Sequence, residues 1–102
     1  EFNRRGGVGC ISVTANVAAK LCSEFQLTIT KDDQTNIKRG SEINSLLTPL
    51  HKALFIESNP SPVKYAASLL NLSSAEVRLP LVQVMDETKK IVKEALVFAK
   101  LL

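Results

Sequence analysis

Apolar residues recur at helical spacing along most of the chain. Ile43, Leu46, Leu47, Leu50 and Leu54 fall at i, i+3, i+4, i+7 and i+11, so they share one face of a helix. Gly40 weakens that helix by about 1 kcal/mol relative to alanine, and Pro49 removes a backbone donor. The pattern therefore predicts a single helix bent near its middle. Upstream, Val17, Ala18, Leu21, Cys22, Phe25 and Ile29 form a second stripe, which Asn16 is placed to cap and which ends near Thr30. The polar break from Lys31 to Asp33 offers Asp32 or Asp33 as the cap of the next helix. Pro62 suits the first turn of a short helix carrying Val63, Ala66, Ala67 and Leu70 and ending near Asn71. Asp86 is expected to cap a last helix with a broad stripe. Ile91, Ala95, Phe98 and Leu102 form one edge of it, and Val92, Leu96 and Ala99 the other.

Three stretches break this rhythm. Gly9 to Val13 is a short apolar run between glycine-rich and polar segments, which predicts a buried strand. Glu57-Ser58-Asn59-Pro60-Ser61-Pro62 is a loop, because each proline biases the residue before it toward an extended backbone. Ser73 to Val84 alternates briefly at Val77-Arg78-Leu79, but Pro80 excludes a central strand and leaves an extended connector. One strand among four helices cannot form a sheet. Its backbone groups need partners that no other segment offers, so the pattern reads as mostly α with one strand drawn from something larger.

Composition narrows the class of molecule. The 102 residues are 45% apolar and 23% charged, enough for one globular domain and unlike a disordered chain. No apolar run approaches the ~20 residues of a membrane span. Glu1 to Arg5 leads into no signal-peptide core, so a cytoplasmic address is expected. Cys10 and Cys22 sit in apolar surroundings without Cys-x-x-Cys or Cys/His spacing and read as buried thiols, with no metal and no cofactor implied. The net charge of +3 permits a nucleic-acid partner in principle. Lys38 and Arg39 are followed by Glu42, however, and Lys89, Lys90 and Lys93 are bracketed by Asp86, Glu87 and Glu94, as on a solvated helix face. With no Trp and one Tyr there is no stacking platform for single strands, and no nucleic-acid partner is expected.

No complete catalytic constellation emerges from the residues. The glycines of Arg4-Arg5-Gly6-Gly7-Val8-Gly9 precede the expected strand instead of following one, so they match a tight turn better than a phosphate loop. Ser61-Pro62-Val63-Lys64 has the Ser-x-x-Lys spacing of penicillin-binding enzymes but lacks their companion motifs. His51 is the only histidine and reads as a surface or interface residue. Lys20, Lys52 and Lys64 could act as activated amines only if burial lowered their pKa. Asn71-Leu72-Ser73 fits a glycosylation acceptor that has no meaning without secretion.

Three stretches taken together carry a resemblance. They are Gly7-Val8-Gly9-Cys10-Ile11-Ser12-Val13-Thr14-Ala15-Asn16-Val17, the run from Pro49 to Ala66 that contains Asn59-Pro60-Ser61-Pro62-Val63-Lys64, and Val77-Arg78-Leu79-Pro80-Leu81. In this order and spacing the chain resembles the C-terminal part of the dihydrodipicolinate synthase family over essentially its whole length. The Asn-Pro-x-Pro-Val-Lys stretch is the most specific element and separates this family from its sialic-acid aldolase relatives.

The resemblance implies a TIM (β/α)8 barrel followed by a helical C-terminal domain. Residues 1–30 would supply the last strand and helix of the barrel, and residues 31–102 the helical domain. It implies a lyase of lysine biosynthesis that condenses pyruvate with aspartate semialdehyde through a lysine Schiff base, and a homo-oligomer. The Schiff-base lysine and the proton-shuttling tyrosine of the family have no counterpart here, because Lys64 and Tyr65 occupy other family positions. The one site residue carried over is Ile11, which corresponds to a last-strand position facing the pyruvate pocket, mainly through its backbone carbonyl. Gly40, Ser58 and Ser61 depart modestly from the family pattern. By itself the chain is expected to be inactive. The alternative reading is a small helical protein-interaction module.

Overall fold

A computed structural model describes residues 3–30 and 33–102. Four helices follow in order: α1 (Ala19–Thr30), α2 (Gln34–Ala53), α3 (Ser61–Leu69) and α4 (Asp86–Phe98). Short 3-10 turns lie at Asn3–Arg5 and Thr14–Asn16. The mostly helical class is correct, but the expected strand is absent. Among the described residues no strand forms: residues 7–12 have no regular secondary structure, and Val13 is already in the helical region at φ −62°, ψ −44°. The physical reason is the lack of a second strand, since an extended segment gains ladder hydrogen bonds only when a neighbour supplies them.

Helix α2 is the spine of the fold. It packs against α1 on one side and α4 on the other, while α3 packs on α4. The stripe read from the sequence faces inward: Ile43, Leu47, Leu50 and Leu54 are all at most 2% exposed. Val63 and Ala66 of α3, Val92, Ala95 and Leu96 of α4, and Val17 and Ala18 complete the core. Pro49 lies inside one continuous helix, in its last five residues and not near its middle, where the pattern placed the bend. The α4 stripe is buried along the edge of Val92, Leu96 and Ala99, and of the other edge only Ala95 is buried while Ile91, Phe98 and Leu102 stay exposed. The α1 stripe is half used as well, with Leu21, Cys22 and Phe25 only partly covered.

The helix ends depart from expectation in instructive ways. Asp33 caps α2, its Oδ1 accepting from the Asn36 amide at 2.8 Å. Its alternative, Asp32, lies outside the described residues. Asn16 does not cap α1. It belongs to the 3-10 turn, and its Nδ2 donates to the Val13 carbonyl at 3.0 Å, so α1 starts only at Ala19. Asp86 is likewise the first residue of α4 and not its cap. The Met85 amide there donates to Glu57 Oε2 at 2.9 Å, which places a carboxylate from a distant loop at the positive end of the helix.

Two helices end in Schellman geometry. After α3, Asn71 takes φ 58° and the Leu72 amide donates to the Ala67 carbonyl. After α4, Lys100 takes φ 60° and the Leu101 amide donates to the Leu96 carbonyl. This stop explains why the last helix ends at Phe98 and does not run to Leu102.

Gly40 proves to be a close-approach residue. A Cβ at this position would lie 2.7 Å from Thr28 Oγ1 of α1, and that hydroxyl is held by its 2.6 Å bond to the Phe25 carbonyl. Glycine therefore lets α1 and α2 meet, and the helix propensity it sacrifices is a consequence of packing. The same helix pair is clamped by Arg39, whose Nε and Nη2 reach the two carboxylate oxygens of Glu24 at 2.6 and 3.2 Å. The hydrogen bond from Arg39 holds the Glu24 carboxyl below its ordinary range. Gly40→Ala is expected to destabilise the chain by about 1–2 kcal/mol, overpacking outweighing the gain in propensity. In a Thr28→Ala background the same substitution should become neutral or stabilising. Urea unfolding of the four-member cycle checks this, and additive effects would refute the contact.

Candidate functional site

Residues 10–16 lie over the junction of α1 and α2 and enclose a cavity of about 340 Å³ with them. Its wall includes Cys10, Ser12, Cys22, Gln26, Leu47 and His51. Gln26 Nε2 donates to Cys10 Sγ at 3.5 Å, and Gln26 Oε1 in turn accepts from Asn3 Nδ2. The even-numbered Cys10 and Ser12 thus turn toward α1, while Ile11 between them is 106% exposed. The expectation of two buried thiols is corrected: Cys10 is exposed and Cys22 half-buried. Burial raises the Cys22 pKa and the neighbouring Cys10 raises it further, while a hydrogen bond from Ser12 opposes both.

Thr14 anchors this segment. Its side chain is buried and its Oγ1 lies 2.6 Å from His51 Nδ1 on α2, a link across 37 residues. No sequence pattern announced this pairing, since nothing local connects a threonine in a turn to a histidine on a distant helix. Desolvation lowers the His51 pKa below its ordinary 6.5, so the folded chain favours the neutral ring. The unfolded chain binds the proton more readily, and protonation therefore favours unfolding. The contribution of His51 to stability is complete above the unfolded value and declines as pH falls below about 6.5. Urea midpoints near pH 7.5 and pH 5.5 should differ less in His51→Gln than in the parent chain. Equal differences would remove His51 from the account.

The Asn59-Pro60-Ser61-Pro62-Val63-Lys64 stretch forms the start of α3 and the turn before it. Asn59, Pro60, Val63 and Lys64 face Val13 and Asn16 across a shallow recess of about 410 Å³. The motif therefore sits against the same N-terminal segment that carries Ile11. Ser61 is buried and donates through Oγ to the Val82 carbonyl at 2.7 Å. That bond directs the hydroxyl away from catalysis and accounts for the Ser-x-x-Lys spacing as structural. Among the described residues no lysine is buried, and no group of three or more His, Cys, Asp or Glu side chains converges as metal ligands would. No described helix is long and apolar enough to cross a membrane.

The site is a surface built by an unpaired segment laid on a helical scaffold, which is how one part of a larger domain presents itself. Comparison with known proteins identifies the domain. A model of the Dihydrodipicolinate synthetase family matches residues 1–99, and the chain belongs to that family. The 4-hydroxy-tetrahydrodipicolinate synthase of Pelagibacter ubique is 60% identical over 102 residues, covering 100% of this chain and 35% of that protein. Among solved structures, the dihydrodipicolinate synthase of Thermotoga maritima superposes with a TM-score of 0.87 at 39% identity, over 95% of this chain and 32% of that one. The synthase of Acinetobacter baumannii, solved in complex with pyruvate, gives a TM-score of 0.86 at 34% identity, over 97% of this chain and 33% of that one. The chain thus spans about a third of the length of the relatives it matches.

Proposed function

We propose that these residues are the C-terminal part of a 4-hydroxy-tetrahydrodipicolinate synthase, a cytoplasmic lyase that condenses pyruvate with aspartate semialdehyde through a lysine Schiff base in lysine and diaminopimelate biosynthesis. Residues 1–30 supply the last strand and helix of a TIM barrel, and residues 31–102 the helical domain behind it. The observation that carries this reading is a 60% identity running through the whole chain yet covering only 35% of the relative. The alternation at residues 10–12 supports it. A strand in a barrel points alternate residues to its helices and to its interior, and here Cys10 and Ser12 turn to α1 while Ile11 points away. Ile11 then borders the pyruvate pocket, mainly through its carbonyl, and shapes the site without taking part in proton transfer. Active sites of such barrels gather at the carboxyl ends of the strands, where the segment following Val13 would lie. The complete enzyme is a homo-oligomer.

The test is a transplant. These residues replace the aligned third of the Pelagibacter ubique synthase, and the purified chimera is assayed with pyruvate and aspartate semialdehyde. Turnover is the expected result. A chimera that folds and still forms no product would overturn the assignment and favour a helical interaction module.

A further inference from the structure

Thr14 opens the 3-10 turn that leads into α1, three residues beyond Ile11. Its side chain is 1% exposed within this chain alone, so its surroundings are complete without the rest of a barrel. A buried hydroxyl left without a partner is costly, and His51 Nδ1 supplies that partner at 2.6 Å. The turn also closes on itself. The Thr14 carbonyl accepts from the Val17 and Ala18 amides at 3.1 and 2.9 Å, and the Ala15 amide donates to Ser12 Oγ at 3.3 Å. These local bonds shape the turn, while the Thr14–His51 bond ties it to α2. His51 is well placed to hold it, because Leu50 and Leu54 on the same helix are 0% exposed and lock α2 into the core. The step back to Ile11 is short. Three residues of extended chain span at most about 10 Å, so a shift of the turn is passed on to the Ile11 carbonyl.

We propose that Thr14 and His51 are positioning residues for pyruvate, through which the helical domain fixes the turn after the last strand and with it the Ile11 carbonyl. This rests on the barrel assignment, in which that carbonyl borders the pyruvate pocket. Both side chains act through the backbone of the turn and take no part in the chemistry. Binding groups work when packing and hydrogen bonds behind them hold their geometry to about 0.5 Å, and a misplacement of about 1 Å can cost about 100-fold. A carbonyl that meets pyruvate equally in the bound state and in the transition state contributes uniform binding. Its displacement therefore shows in the KM for pyruvate and not in kcat. The C-terminal domain then tunes the affinity for a substrate that sits in the barrel.

Steady-state kinetics of the full-length chimera test this. Thr14→Val keeps the shape of the side chain and removes its hydroxyl, and His51→Leu removes the ring nitrogen. Each should raise the KM for pyruvate by about fivefold. The kcat and the KM for aspartate semialdehyde should stay within about twofold of the unsubstituted chimera. The double variant should be no worse than either single one, and Thr14→Ser, which keeps the hydroxyl, should restore the KM. A bond that only stabilises the fold would lower the fraction of active enzyme, and so kcat, while leaving both KM values in place. That pattern, or an unchanged pyruvate KM in either soluble variant, overturns the proposal. Should Thr14→Val fail to fold, His51→Leu, which lies outside the core cluster, decides alone. A chimera without turnover before any substitution overturns the assignment itself and this inference with it, so the two failures are told apart.

Discussion

Incubated with pyruvate and borohydride, the isolated chain is expected to keep its mass unchanged. Reductive trapping requires a lysine that is both positioned against the keto acid and able to lose its proton, and enzymes achieve the second by desolvating the amine. Lys20, Lys38, Lys52, Lys90, Lys93 and Lys100 are exposed, and Lys64 and Lys89 only partly covered. Lys89 lies instead over the Tyr65 ring, 5.9 Å from its centroid, and 3.5 Å from Asp86, away from any enclosed pocket for a keto acid. The full-length chimera under the same conditions should gain one pyruvyl unit, so the two samples separate the contribution of this part from that of the whole. A stoichiometric adduct on the isolated chain would place the chemistry in these residues and defeat the reading given for them.

Leu50→Ala should have the largest effect on stability of any single substitution here. Leu50 is 0% exposed in the last turn of the spine helix, in the core cluster shared with Leu47, Leu54 and Leu96. Removing its side chain forfeits burial and leaves a cavity that surrounding helices fill only in part, a loss of about 2–5 kcal/mol. Set against the roughly 5–15 kcal/mol that holds a typical domain together, this is a large fraction. Ile11→Ser is the contrasting control. At 106% exposure Ile11 contributes nothing to this fold, so its replacement should leave the urea midpoint of the chain in place. In the chimera the same replacement keeps the backbone carbonyl, so the KM for pyruvate should change little. A Leu50→Ala cost below about 1 kcal/mol would mean that the four-helix core is wrongly drawn.

The helices were legible because each carries its apolar residues at the helical period, most clearly in α2, where Ile43, Leu47, Leu50 and Leu54 are all buried. Misreadings gather where local and tertiary effects diverge. Gly9 to Val13 has the composition of a strand, but composition cannot supply a pairing partner. Asn16 and Asp86 are good capping residues at plausible positions, yet Asn16 turns back to Val13, and Glu57, nearly thirty residues upstream, takes the place expected of Asp86. Gly40 looked like a weakness in a helix because only the neighbouring Thr28 reveals its use. The site was legible chiefly through resemblance. Residues alone gave no constellation, and the Thr14–His51 pairing joins positions that no local pattern relates.

The loop before α3 and the stretch leading into α4 are stitched together twice, by Ser61 to Val82 and by Glu57 to Met85. These stitches fix where α4 begins independently of the route taken by the chain between Asn71 and Leu81. Closing a flexible loop becomes harder by only about 0.6 kcal/mol for each doubling of its length. The intervening segment is therefore a place where insertions and deletions can accumulate among relatives, or be engineered, while the register of the last helix stays constant.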